Sequence, residues 1–340
     1  MNLAKYRSFA LADNVIAFSI SYQDRNMLAR GMGLEHLREL LIRLARPLVR
    51  RGANLAYGGN WKDTEDNFIF PLLQLISAEQ EDSSLGADIG PRIGKLYNHS
   101  PWPWYLDITP KVEAQWINCC RVVRVTQQMA GFSEADIEPD AKADEVDPRT
   151  LFNRAVTLTA MRRLMMQPMP IPIPDVKRAE LIPPVTARIL LGGKVDSYVG
   201  FLPGIFEEAL VTLQRDCPVY ILGGFGGAAE VLADAMLASG EQRPKELTLD
   251  WHKAQNPGLV TLLDAADRFE RPASLGAIEQ SLDALFKFVL RARADLPGTL
   301  RTGLDEGETR ELLKTSNIAN AVHLVLQGLK NGDNLPASGS

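Results

Sequence analysis

Two adjacent carboxylates, Glu207 and Glu208, stand where their residue type could do chemistry. They follow Pro203 and Gly204 in the segment GFLPGIFEEA, and proline suits the first turn of a helix. A carboxylate within hydrogen-bond reach of a ligand can hold ribose hydroxyls or activate water at an anomeric carbon. The same carboxylates would also stabilise a helix start through its dipole. Both interpretations stay open on the sequence alone.

Three clusters of glycine come directly after apolar segments that are typical of strands. Glycine lets the backbone approach a phosphate or ribose, and a following helix offers N–H groups to an anion. A tight strand-to-helix turn also needs glycine, but three clusters at predicted strand ends favour a ligand cleft. The clusters are Gly58 and Gly59 before Asn60, Gly192 and Gly193 before Lys194, and the run Gly223, Gly224, Phe225, Gly226 and Gly227.

Three polar side chains beside these turns could contact phosphate oxygens. Ser19 and Ser21 end the first predicted strand, and Lys194 could reach a phosphate as a point charge. Serines there are more often structural, and a loop lysine can simply be solvated. The glycine spacing matches neither GxGxxG nor GxxxxGK[ST], which argues against a classical NAD dehydrogenase and a P-loop NTPase.

Other side chains have two interpretations each. Arg154, Arg162 and Arg163 could clamp an anion, although a charged helix face is the commoner explanation. The patch of Trp102, Trp104 and Tyr105 indicates core or interface packing, or a surface on which adenine or nicotinamide could stack.

Apolar segments with a preference for β-structure alternate with amphipathic segments along the chain. A strand, a helix and a second strand in succession form a βαβ unit, which implies a parallel sheet. The predicted strands are 14–19, 53–57, 121–125, 187–191 and 218–222, and the predicted helices are 34–50, 68–76, 151–167, 205–215, 228–237, 259–269, 278–293, 308–315 and 318–329.

These elements predict an α/β fold: a Rossmann-like open parallel sheet with flanking helices plus a C-terminal helical extension. We assign 1–240 to one sheet-containing domain, 241–330 to the helical extension and 331–340 to a polar tail. Residues 133–148 carry seven carboxylates and one lysine, and we expect an exposed acidic loop there. The alternate prolines of 168–174 exclude a helix.

Composition excludes several classes of protein. The chain has 340 residues, 46% of them hydrophobic, and a net charge of -5, which argues against a disordered chain and a general nucleic-acid binder. Its apolar runs are too short for a membrane span, and its first residues lack a signal-peptide pattern, so we expect a cytoplasmic protein. The four histidines and three cysteines lack ligating spacings, so we expect no metal and no required cofactor. The apolar segment 322–329 favours packing on the main domain or a homo-oligomer.

Three segments together resemble the SLOG superfamily, which includes the LOG-type phosphoribohydrolases and the DprA-like proteins. They are AYGGN at 56–60, LGGKVDSYVGFLPGIFEEAL at 191–210 and PVYILGGFGGAAE at 218–230. The segment FSIS at 18–21 and the helical segment 301–329 are more similar to the bacterial antiphage sensor-like branch than to the LOG enzymes.

The resemblance implies that 1–240 is a SLOG-like, Rossmann-type nucleotide-ligand-binding domain. It implies a sensor of a nucleotide-derived small molecule, of ADP-ribose or cyclic nucleotide type, in antiphage signalling, with a possible effector protein encoded nearby. The alternative is an N-glycoside (phosphoribo)hydrolase acting on a nucleotide, with Glu208 nearest the catalytic glutamate and Glu207 beside it. The LOG motif PGGxGTxxE is shortened here to PGIFEE and its threonine is missing, which counts against hydrolysis.

Overall fold

The fold is described from a computed structural model of the chain. Most of the predicted tail, residues 333–340, lies outside the described residues, as does the N-terminal segment 1–10. The described residues are 11–332 without 13, 24–26, 29, 63, 85–92, 144–145, 173–178, 271 and 273–276.

Six strands form one parallel sheet, and two short strands form a separate antiparallel pair. The order across the large sheet is β4-β3-β2-β1-β7-β8. The strands are β1 Val15–Ser21, β2 Asn54–Gly58, β3 Leu96–Pro101, β4 Cys120–Val125, β5 Met169–Pro172, β6 Ala179–Ile182, β7 Ala187–Gly192 and β8 Val219–Leu222.

Helices cover both faces of this sheet. The helices are α1 Leu34–Arg50, α2 Ile69–Ser84, α3 Pro110–Gln115, α4 Pro148–Leu164, α5 Gly204–Leu213, α6 Gly227–Leu237, α7 Leu249–Gln255, α8 Pro257–Arg268, α9 Ile278–Ala294, α10 Leu296–Leu300, α11 Glu306–Lys314 and α12 Ile318–Gly332. The predicted Rossmann-like α/β fold is confirmed.

The strand order reverses at β1, which lies between β2 and β7. Phe18 of β1 is level with Tyr57 of β2, and Ser21 is level with Gly192 of β7. The chain first builds the sheet outward from β1 through β2, β3 and β4, and then returns to the other side of β1 with β7 and β8. In open parallel sheets a ligand binds outside the carboxyl ends of the strands at such a reversal.

Each face of β1 packs into a different apolar cluster, which is why its sequence is apolar throughout. Ile16 and Phe18 face the cluster that holds α1 and α2, while Val15 and Ala17 face the cluster that holds Met161 of α4 and the methionines directly after that helix. Near-continuous apolar strands are typical of a parallel sheet covered on both faces.

Strand β3 was not predicted from the sequence. Its residues are buried throughout, but Asn98, His99 and Ser100 at its centre are polar, so the segment lacks an apolar β-pattern. The Asn98 amide replaces water by protein partners and donates to the carbonyl of Tyr57 at 3.2 Å, whereas the Ser100 hydroxyl and Nδ1 of His99 have no hydrogen-bond partner among the described residues. Burial of this kind depends on tertiary partners, and local propensity does not report it.

The acidic segment contains short helical turns, and several of its carboxylates are bonded to the protein. Two 3₁₀ helices lie at Glu134–Asp136 and Asp140–Lys142. Arg149 pairs with Asp136 at 2.6 Å and with Glu138 at 3.7 Å. Through their bonds to Arg149, these carboxylates attach the segment to the start of α4, and their mutual repulsion is reduced.

Helices beyond residue 240 share apolar clusters with the sheet. Leu312, Val325 and Leu329 belong to the cluster of β1 and α1, and Leu285 and Val289 pack with α5 and α6. The domain boundary at residue 240 stays a prediction, since shared packing does not by itself define where a domain ends.

The glycine run after β8 is buried beneath the C-terminal helices. A Cβ on Gly224 would overlap the carbonyl oxygens of Lys314 and Thr315, and a Cβ on Gly223 would overlap the carbonyl of Leu313. The backbone of this turn therefore touches backbone at the end of α11, an approach that only glycine permits.

We expect Gly224→Ala to lower the free energy of unfolding by about 3 kcal/mol, because the clash is with backbone that cannot turn away. Gly307→Ala is the matched control within α11: its Cβ would meet only Asp305 at 3.4 Å, and alanine favours a helix. Urea unfolding measures both. Equal stability of the two variants would contradict the close packing of this turn.

Candidate functional site

A cavity of about 290 Å³ opens at the carboxyl ends of the strands, where the strand order reverses. It takes side chains from the ends of β1 and β2, from the segments after β3 and β7, and from α4 and α5. The predicted site residues that line it are Ser19, Ser21, Gly58, Gly59, Asn60, Lys194, Gly204 and Glu208.

The other predicted site residues lie outside this lining. Gly192 and Gly193 pack against the end of β1 and against α5, since a Cβ on Gly193 would overlap Ile205. The lining also leaves out Glu207, Pro203, Gly223, Gly224, Phe225, Gly226 and Gly227. A role of any predicted residue in binding or catalysis stays a prediction.

Four charged side chains form a buried cluster beside the cavity. Arg162, in the last turn of α4, lies between Glu207 and Glu208, with its Nε 3.4 Å from Oε1 of Glu208 and Nη1 bonded to Glu207. Arg188 of β7 donates from Nη1 to the second oxygen of Glu208 at 3.1 Å. Glu208 therefore has a guanidinium on each carboxylate oxygen.

Arg188 is fully buried at the centre of the sheet, where a charge needs several partners. Besides Glu208 it donates to the hydroxyls of Ser19 at 3.0 Å and Thr212 at 2.7 Å. Burial lowers its pKa, Glu208 opposes that effect, and the neighbouring charge of Arg162 adds to it. Arginine stays protonated in proteins, so the cation persists and ties β1, β7 and α5 together.

The pKa of Arg162 shifts in the opposite direction. Burial lowers it, but the charges of Glu207 and Glu208 together outweigh burial and raise the pKa above its ordinary value. Arg162 and Arg188 thus balance the two glutamates. A further cation at the cavity would leave the site with a net positive charge.

Lys194 supplies that cation. Its backbone N–H donates to the Ser21 hydroxyl at 3.2 Å, and the N–H of Gly193 donates to the Ser21 carbonyl at 2.8 Å. The side-chain amide of Gln23 donates to the carboxylate of Asp196 at 2.6 Å, which holds the next residues of the same turn. Within the described part of the chain the Lys194 ammonium forms no ion pair, and Lys194 also lines a second cavity with the carboxylates Glu65, Asp66 and Asp196.

The glycine turn after β2 is fixed from below by a buried amide. Asn98 of β3 accepts from the Trp61 indole at 2.8 Å and donates to the carbonyl of Tyr57. The side-chain oxygen of Asn60 accepts from the Lys62 N–H at 2.9 Å, and this bond stabilises the turn. The backbone of Gly58 and Gly59 is held in place before any ligand arrives.

The segment after β7 connects the cavity to the C-terminal helices through Tyr198. This tyrosine lines the cavity, and its ring contacts His252 of α7 with a centroid distance of 5.7 Å. Asn256 donates to the Tyr198 carbonyl at 3.2 Å. His252 also meets Phe206 and Trp251 edge to face, and in the described structure neither of its ring nitrogens has a hydrogen-bond partner.

Sequence reasoning missed Arg188, Asn98 and Tyr198 as contributors to this site. Arg188 left a signal, because an arginine within the apolar segment ARILL needs a buried partner. Asn98 lay in a strand that was not predicted, and Tyr198 acts through a loop without local pattern. Arg162 was considered as part of an anion clamp, and it instead pairs with Glu207 and Glu208.

The sheet order and the cavity at its reversal define a Rossmann-like α/β protein with a switch-point site. A family model described as SLOG cluster2 matches residues 10–173 and 176–312, so the chain belongs to this family and to the SLOG superfamily. Membership indicates nucleotide-related binding or a glycosidase-like function. The antiphage branch stays a prediction. A search of curated proteins found no match.

The described residues contain neither a metal-binding cluster nor a membrane-spanning helix. No group of three or more histidine, cysteine, aspartate or glutamate side chains there could hold a metal ion. Among the same residues, every helix is too short or too polar to cross a membrane.

We expect Arg188→Met to lower the free energy of unfolding by about 3–5 kcal/mol, because Glu208 loses one of its two cations while still buried. The double variant Arg188→Met/Glu208→Gln should lose less than the sum of the single changes. Arg310→Met, which breaks an exposed pair with Glu306, serves as control and should cost under about 1 kcal/mol. Strict additivity in urea unfolding would show that the pair is not coupled.

Burial holds the pKa of His252 at about 4, so the folded protein keeps the ring neutral. The unfolded value is near 6.5, so the unfolded chain takes up the proton first as the pH falls. The stabilisation is complete above about pH 6.5 and is lost toward pH 4, by up to about 3 kcal/mol. His252→Phe should lessen this loss between pH 7.5 and 5 in urea unfolding, and an unchanged pH profile would refute it.

Proposed function

We propose that this chain binds a nucleotide-derived small molecule, of ADP-ribose or cyclic nucleotide type, and acts as its sensor. The observation that carries the proposal is the cavity at the strand reversal, which Lys194 lines together with Ser21 and the glycine turn at 58–59. Hydroxyls, backbone groups and one ammonium suit the oxygens of phosphate and ribose. Membership of the SLOG family supports the same class of ligand.

Charge supports a phosphate-bearing ligand rather than a neutral sugar. Arg162 and Arg188 are matched by Glu207 and Glu208, which leaves the charge of Lys194 without a counterion among the described residues. An anion that enters the cavity supplies the missing charge in partly desolvated surroundings, where the interaction is stronger than in bulk water.

The arrangement of Glu208 favours sensing over hydrolysis. Both of its carboxylate oxygens already accept hydrogen bonds, one from Arg162 and one from Arg188. Fewer lone pairs remain for a water molecule or a ribose hydroxyl. A carboxylate committed in this way holds the site together and leaves the ligand intact.

Hydrolysis of an N-glycosidic bond is the second candidate, and one observation favours it. Glu208 lines the cavity, whereas Glu207 is 7% exposed and lies outside the lining. Glu208 would then be the residue that stabilises an oxocarbenium-like transition state or activates water. Glu207 would act only by holding Arg162.

The sensor proposal extends to signalling. We infer a cytoplasmic role in bacterial antiphage defence, in which ligand binding changes the assembly of a homo-oligomer or activates an effector protein encoded nearby. The similarity to the sensor-like SLOG branch supports this role. Nucleic acid and membrane are not partners in it, and no cofactor is required.

The test is calorimetric titration with NAD, ADP-ribose, AMP and cyclic nucleotides, with release of the base followed in parallel. We expect saturable binding by at least one nucleotide, and Lys194→Gln should weaken it about tenfold because a charged contact to phosphate is lost. Lys253→Gln, on the exposed face of α7, is the matched control and should bind like the unmodified protein.

Three results would contradict the proposal. Release of base that Glu208→Gln abolishes would establish the hydrolase instead. No binding by any of these nucleotides, or binding that Lys194→Gln leaves unchanged, would show that the cavity does not hold phosphate in the way proposed.

A further inference from the structure

Trp104 occupies the end of the cavity that lies farthest from Lys194 along the sheet. It begins a 3₁₀ helix, Trp104–Asp107, directly after β3, and it lines the cavity together with Pro101. Its side chain is half-buried. A large indole in this position must be explained by packing, by a hydrogen bond or by a ligand.

Packing explains the two aromatic neighbours of Trp104. Trp102 is fully buried, and its indole N–H donates to Asp140 at 3.0 Å. Tyr105 packs against the apolar cluster of β1 and α1. The short segment after β3 is therefore anchored on both sides of Trp104.

Neither packing nor hydrogen bonding accounts for Trp104 itself. In the described structure its ring joins none of the apolar clusters and contacts no other aromatic ring. Its indole N–H likewise has no acceptor there. An aromatic face held at the wall of a cavity by rigid neighbours is a stacking surface, and stacking on a base is favourable whichever base is present.

The order of the strands places Trp104 about one nucleotide length from the groups proposed to bind phosphate. Strand β3 adjoins β2, where Gly59 donates to the carbonyl of His99 at 3.3 Å, and β2 adjoins β1 with Ser19 and Ser21. Neighbouring strands lie about 4.8 Å apart, so β3 and β1 are separated by roughly 10 Å. Lys194 follows β7, one strand further, but its N–H donates to the Ser21 hydroxyl, so the phosphate-binding end begins at Ser21. The distance from β3 to that end is close to the separation between the base and the phosphate of one nucleotide.

Two of the three α4 side chains that line the cavity are apolar, and the third, Arg162, is paired with Glu207 and Glu208. The apolar ones are Leu158 and Met161, and the Met161 methyl group lies against Gly58. A thioether packs favourably on aromatic rings. The cavity thus offers a charge at Lys194 and apolar surface at Leu158, Met161 and Trp104, which suit the phosphate and the base of a nucleotide.

We infer that Trp104 stacks on the base of the bound nucleotide and so selects ligands that keep an aromatic base over ribose phosphates that lack one. The inference rests on the proposed function, because it takes the phosphate to lie at Lys194.

The test compares AMP with ribose 5-phosphate by calorimetric titration of the full chain. Trp104→Ala should weaken AMP binding tenfold or more and change ribose 5-phosphate binding less than twofold, since only AMP carries a ring to stack. Trp104→Phe, which keeps an aromatic face, should retain most of the AMP affinity. Leu106→Ala is the matched control, because it is exposed on the same 3₁₀ helix and outside the cavity lining.

Tryptophan fluorescence gives a second measurement that does not depend on the alanine variant folding well. AMP should quench the emission of the unmodified protein and ribose 5-phosphate should not, and Trp104→Phe should remove the quenching while AMP still binds.

The outcomes separate the two proposals. Equal affinity of the unmodified protein for AMP and ribose 5-phosphate, or equal weakening of both by Trp104→Ala, would overturn the stacking role and leave phosphate binding intact. Failure of both ligands to bind the unmodified protein would overturn the proposed function itself, and the stacking role with it.

Discussion

The buried charge of Arg188 is the constraint on which the site depends. A guanidinium at the centre of a parallel sheet is tolerated only where carboxylate and hydroxyl partners surround it. Its partners come from two elements: Ser19 of β1, and Thr212 and Glu208 of α5. Because Glu208 also binds Arg162 of α4, one charge fixes the mutual position of two strands and two helices. The cavity exists where these elements meet.

The turns around the cavity are held by hydrogen bonds between neutral groups and not by charge pairs. Ser21 holds the turn after β7, and Asn98 holds the turn after β2. A site whose groups are already ordered loses little conformational freedom when a ligand binds. The preorganised part lies on the sheet, and the more exposed part, around Ser197 and Val199, lies on the loop that connects to the C-terminal helices.

Much of the fold could be predicted from the sequence because most helices and strands show a local pattern of apolar residues. The leucines of α1 recur at helical spacing, and the segments that form β1, β2, β7 and β8 are short and apolar. Strand β3 could not be predicted, since its centre is polar and its buried Asn98 depends on Trp61 and Tyr57, which lie far away in sequence. The site was predicted in part: glycine and serine at strand ends mark the cavity, but the pairing of Arg162 and Arg188 with the glutamates joins residues far apart in sequence. The spacing of neighbouring residues does not predict such pairs.

Because the glycine turn after β8 is buried, the two ends of the sheet's carboxyl edge differ in the space above them. On the β8 side, Gly223 and Gly224 lie under the end of α11, and protein backbone fills the space above the strand. On the β3 side the edge stays open as far as Trp104. Backbone therefore closes the carboxyl edge of the sheet at β8, whereas the cavity runs along that edge as far as β3. A molecule in the cavity would have room toward β3 and, past Lys194, in a second cavity that Asp196 and Ser197 line, but none above β8.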